Sequence, residues 1–246
     1  DPEALLKELT AVGAEALASR PQDLMELIKL WQSEHRIGSR HELMSNSIRS
    51  RLREIDQDRA AVDALDPERV RQAVRSLAAA TTLMRNQEIT VPDCERSQHG
   101  IAIEAVLPNW KPHENQTLLS RPIFDEEIYG TVRFHHRSTR EYLAAEWFSE
   151  RLKTGAPRRN VESLFFQDSY GEQIVTPVLR PVLPWLALMD AKICHKTIEV
   201  APEILLEGGD PCGHSQEVRC KLLERMCTMI ATTSSTRWMD EHGVVA

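Results

Sequence analysis

The chain is poor in the features that announce most protein classes. No apolar run approaches the roughly 18–20 residues that a membrane-crossing helix needs. The first residues, DPEALLKEL, are helix-like from the outset and carry neither a secretion signal nor an initiator Met, so the chain is expected to be cytoplasmic and a fragment of a longer protein. Five cysteines, odd in number and loosely spaced, fit reduced thiols better than a disulfide framework. Ten glycines form no cluster able to cradle phosphates, and no G-x-x-x-x-G-K-[ST] loop occurs. No run of four hydrophobic residues ends in the paired acidic residues that would hold Mg²⁺, and neither a G-x-S-x-G elbow nor an H-E-x-x-H helix is present. We therefore expect no catalytic residues and no hydrolysis of ATP by this chain alone. A basic excess is missing too: the formal net charge is −7, which argues against a chain built to coat nucleic acid. Arg49, Arg51 and Arg53, spaced by two, spread around a helix and read as a solvated surface.

Metal chemistry is weakly encoded. Cys194-His195, Cys212-x-His214, Cys220 and Cys227 gather near the C-terminus. Structural zinc usually shows a tight C-x₂₋₄-C or H-x₃₋₅-H pair, and none occurs among these residues, so no metal ligand is assigned.

What is present reads as mainly α. Leu5, Leu6, Leu9, Val12 and Leu17 give residues 2–19 an apolar stripe. Pro21 stands in the favoured first turn of a second helix lined by Leu24, Leu27, Ile28 and Trp31. Gly38-Ser39 breaks it, with Ser39 as the cap of a third helix carrying Leu43, Ile48, Leu52 and Ile55. Asp66-Pro67-Glu68 is another start signal, a cap followed by proline and an acidic first turn. After Asn86 come short β-prone pieces at 89–91, 101–106 and 131–134, with an irregular insertion over 107–115. A further helical region runs from about 157 to the end, interrupted by Gly208-Gly209-Asp210-Pro211. The fold class expected is a helical bundle, a winged helix with a small β-wing, and a HEAT-like helical region. The corresponding boundaries are 1–60, 61–155 and 156–246.

The most informative stretch is FHHRSTREYLAA, residues 134–145. An extended piece delivers His136 to the mouth of a helix, where Ser138 and Glu141 have the spacing of a capping box. The unpaired amides and positive dipole end of a helix N-terminus suit an anion such as phosphate. The same residues also describe a buried strand-to-helix corner with His136 as packing. Neighbours on a strand point to opposite faces, so one of His135 and His136 is expected inward and the other solvated.

The pattern F-x-H-x-S-x-x-E-Y-x-A-A resembles the winged-helix segment that follows the ATPase core in NACHT-type signalling NTPases of the STAND class. The resemblance covers nearly the whole chain. ASRPQDLMELIKLWQSEHRIGSRHELMSNSIRSRL is similar to the helical domain after that core, LDPERVRQAVRSLAAATTLMRNQEI through LLSRPIFDEEIYGTVRFHHRSTREYLAAEWF to the winged helix, and VLRPVLPWLALMDAKICHKTIEVAPEILLEGGDPCGHSQEVRCKLLERM to a HEAT-like region of large bacterial members. It implies that His136 reaches the β-phosphate of bound ADP and that Pro21 packs on the adenine; a proline that merely starts a helix reads the same way in sequence. It further implies ADP or ATP with Mg²⁺ held by an N-terminal ATPase core, a C-terminal sensor, oligomerisation on activation, and a role such as antiphage defence. Two other classes remain: a DNA-binding winged helix, and a helical scaffold for protein partners without a nucleotide role. The former needs a basic recognition helix, whereas the one after Ser138 mixes Glu141, Glu146 and Glu150 with Arg137, Arg140 and Arg151.

Overall fold

The computed structural model describes residues 2–11, 38–53, 65–92, 100–155 and 157–242, with the side chains of the last helix described to residue 232. Between the first two stretches only Leu24, Met25, Leu27, Ile28, Trp31 and Gln32 are described, all helical. The architecture is mainly helical with a small sheet. In chain order it runs α1 (Pro2–Ala11), α2 (Arg40–Arg51), α3 (Pro67–Leu83), β1 (Ile89–Thr90), β2 (Ile101–Ala102), α4 (Ile103–Val106), α5 (Pro112–Leu119), β3 (Thr131–Val132) and α6 (Arg137–Lys153). Then follow α7 (Arg158–Phe165), β4 (Phe166–Ser169), β5 (Glu172–Val175), α8 (Leu183–Met189), α9 (Ala191–Val200), α10 (Ile204–Glu207) and α11 (Gln216–His242).

Local chemistry sets several of these starts. Ser39 accepts a hydrogen bond from the Glu42 amide and Glu42 accepts one from the Ser39 amide, each at 3.2 Å, a complete capping box on α2. Asp66 caps α3 through the Arg69 amide at 2.8 Å, with Pro67 in the first turn. Of the apolar stripe expected near the N-terminus, Leu5 and Leu9 are buried and cluster with Leu27 and Leu43, with Ile28 and Trp31 against them, whereas Leu6 is exposed and Val12 and Leu17 lie outside the described residues.

The main core is one continuous cluster extending from Met44 on α2 to Ile204 on α10. At its centre α3 and α6 bury Val70, Val74 and Leu77 with Leu143, Ala144 and Phe148. Across the rim of that pair, Arg71 and Arg75 donate to Glu146 at 2.5 and 2.9 Å, and Arg75 also reaches Glu150 at 3.3 Å. The sheet has the order β2-β1-β3, with β1 parallel to β2 and antiparallel to β3. Bridges at Phe124–Phe134 and Ile128–Thr131 extend β3 into a hairpin whose tip is Tyr129-Gly130.

Four expectations need correcting. The β-prone piece 101–106 is a strand only over 101–102; β1 offers two residues to pair with, and beyond them the chain coils into α4 and buries Ile103. The expected irregular insertion runs into the first half of α5, which opens at Pro112 and is capped by Glu114 accepting from the Lys111 amide at 2.7 Å. The region after 157 includes the β4–β5 hairpin, paired over Phe166–Val175 through Ser169–Glu172. Finally, Arg51 is not solvated: it is 5% exposed and donates to Ser47 Oγ and to the Pro122 carbonyl, while Arg49 and Arg53 are exposed. Among the described residues, no helix is long and apolar enough to cross a membrane.

Candidate functional site

The hairpin's last pairing, the His135 amide to the Ile123 carbonyl at 3.0 Å, ends one residue before His136. His136 is therefore still extended, with φ −124° and ψ 133°, and it occupies the N-cap position of α6. Its side chain makes no hydrogen bond to the helix's first amides. A 17-residue helix thus begins at the histidine itself.

This start lies two residues before the expected one, and the capping box at Ser138 does not form. Ser138 is already within the first helical turn. Glu141 does not turn back to it, because Arg137, one turn earlier, holds its Oε1 at 2.6 Å through Nε. A charge-assisted pair at that spacing holds the carboxylate along the helix surface, away from the first-turn amides. Glu141 is largely buried, and burial raises its carboxyl above the usual range, opposed by Arg137. Arg140 lies beside it; its Nε is buried without a partner, and burial lowers its guanidinium from the usual range.

The two histidines do not separate to opposite faces. Their rings meet edge to face at 4.5 Å and both are half-buried. His135 Nδ1 contacts Asp125 Oδ1 at 2.6 Å, which ties the histidine pair to the hairpin's outgoing arm.

Further along α6, Tyr142 joins three elements. Its hydroxyl meets His41 Nε2 of α2 at 3.1 Å and its ring packs edge-on against Trp185 of α8 at 5.2 Å. Burial is the first cause of its phenol being pushed up to about 12, so it stays protonated. The His41 amide donates to Asp210 Oδ2 at 3.1 Å, and Arg40 donates to the Gly209 carbonyl at 3.3 Å. Gly209 has φ +65°, and a Cβ there would come within 2.8 Å of Pro184 Cβ, so only glycine fits this approach. The start of α6 thus sits where α2, α8 and the 208–214 turn converge.

No family model, curated protein or solved structure matches this chain. The site rests on its own geometry.

Pro21 lies outside the described residues. Of the C-terminal cysteines and histidines, Cys194 Sγ and His214 Nδ1 come together at 3.9 Å, both buried. Burial raises the thiol and lowers the imidazole, so both favour their neutral forms. Cys212, Cys220 and Cys227 are exposed. Among the described residues no group of three or more possible metal ligands occurs. Sequence reasoning missed Arg140, the Asp125–His135 contact and the His41–Tyr142–Asp210 junction. The partners of that junction lie 101 and 169 residues apart, beyond any local pattern.

Proposed function

We propose that the chain is a regulatory, non-catalytic part of a NACHT-type STAND NTPase, in which His136 senses the phosphates of ADP held by an ATPase core outside this sequence. On this reading α3, α6 and the small sheet form a winged helix with the 123–135 hairpin as its wing. The helices from α7 onward are the HEAT-like region that leads to a sensor. The setting is cytoplasmic, with oligomerisation on activation.

The observation that carries the reading is the position of His136 at the N-cap of α6 with the helix's first amides left without a side-chain cap. Helix amides, the dipole's positive end and a neighbouring imidazole form a donor set that fits a phosphate. When bound, ADP supplies a multiply charged β-phosphate as the acceptor. His136 would donate to it, and Tyr142, one and a half turns along, would carry a shift of α6 to His41 of α2 and to Trp185 of α8. The DNA-binding alternative finds less support, since the glutamates of α6 are matched by Arg71, Arg75 and Arg137 and the hairpin carries Asp125, Glu126 and Glu127.

The test is ADP binding by calorimetry on a longer protein that includes the ATPase core, wild type beside His136→Ala. One charge-assisted hydrogen bond is worth roughly 10- to 100-fold in affinity. A loss of that size supports the switch, and equal affinity returns His136 to a packing role.

A further inference from the structure

Two surface features are used by nothing described so far, and each has what the other lacks. The first is the hairpin tip. Residues 125–129, Asp-Glu-Glu-Ile-Tyr, are exposed without a break, with Ile128 at 58% and Tyr129 at 88%. Asp125 is engaged by His135, but among the described residues Glu126 and Glu127 pair with no cation. Tyr129 is held at φ +54°, a conformation that a bulky side chain adopts at a cost. The tip thus presents a solvent-facing phenol beside two unneutralised carboxylates.

The second feature is a cleft of about 560 Å³ between α3, α6 and the 106–110 loop. Trp110 and Trp147 are half-buried in its wall, and each carries a guanidinium on its ring, Arg69 at 4.5 Å and Arg151 at 5.0 Å. Arg69 is oriented by Glu114 at 2.6 Å, whereas Arg151 is exposed and pairs with no carboxylate among the described residues. The cleft therefore offers indole surface for an aromatic ring and a free cation at its edge.

We propose that this cleft receives the 125–129 tip of a second copy of the chain. Tyr129 enters against the tryptophans, and Glu126 and Glu127 meet Arg151. Because tip and cleft are different patches, the contact is head-to-tail, and the bound pair as a whole still presents one free tip and one free cleft. A single tyrosine-centred contact is small, so association is weak and grows with concentration. The proposal is independent of the nucleotide reading, since neither His136 nor ADP takes part.

Sedimentation of the chain from low micromolar to several hundred micromolar tests it, with circular dichroism confirming that each variant is folded. Wild type is expected to associate progressively beyond a dimer, and Arg151→Glu or Tyr129→Ser to weaken association by at least about 10-fold. Mixing R151E with Y129S leaves one intact tip and one intact cleft, so the mixture should stop at a one-to-one dimer. Combining Arg151→Glu with Glu127→Arg reverses both charges and should restore assembly. A wild type that stays monomeric throughout overturns the proposal. So does association that the single substitutions leave unchanged.

Discussion

Glu114 shows how much one side chain on this surface can do. It receives Arg69 at 2.6 and 3.1 Å while also capping α5 through the Lys111 amide. Arg69 is the first cause that draws its carboxyl down to about 2 from an ordinary 4.5. The folded chain therefore keeps this charge to far lower pH than the unfolded chain. The stability it contributes is complete above about pH 4.5 and is lost as pH falls toward 2. Thermal unfolding of wild type against Glu114→Gln should show a gap at pH 7 that closes through this window. A gap as wide at pH 2.5 as at pH 7 would refute the assignment. Caps of this kind are the part of the fold most legible in sequence: Ser39 and Asp66 act within three residues of themselves, so spacing alone reveals them. Ser138 has the same spacing and does not cap, because the start of α6 is decided by where the hairpin stops pairing, at His135. His136 was legible as the residue at the helix mouth. Arg140 was not, because its burial depends on what packs over it.

Among the elements, the two hairpins share one device. Each turns through a Tyr-Gly pair with both residues at positive φ: 54° and 78° at Tyr129-Gly130, 52° and 87° at Tyr170-Gly171. Such a turn matches the twist of the flanking strands but favours Asn over a bulky residue at its first position. At Tyr170, fully exposed and far from any role proposed above, the tyrosine should be a net cost. Tyr170→Asn is expected to stabilise by about 1 kcal/mol, seen as a rise in Tm of about 2–4 °C. A drop in Tm would mean that the ring makes a contact that matters. Because Asn-Gly is the usual signal and is absent, β4 and β5 were not visible in the sequence. Their faces gave little help: only Phe166 and Val175 of the eight strand residues are buried. The helices α3 and α6 were visible because 17 residues repeat an apolar face several times over.

For the whole molecule, the decisive joint is the one residue pattern could not disclose. Asp210 is 3% exposed and binds the His41 amide while also accepting from the Gly213 amide at 3.1 Å. Removing its carboxylate takes the charged acceptor from the half-buried His41 amide, so Asp210→Ala should cost about 1–3 kcal/mol. Hydrogen exchange should then show lost protection at residues 40–44 and 211–213, with α3 and the middle of α6 unaffected. Uniform loss across the chain would mean that the joint is not local. The same joint constrains synthesis. Arg40 and His41 find their partners 169 residues later, at Gly209 and Asp210. At 5–20 residues per second, that interval lasts roughly 10–30 s. For most of it the start of α2 is outside the ribosome while the turn that receives it is still being translated. The early helices of this chain are thus born waiting, and a nascent-chain chaperone would meet them in that interval.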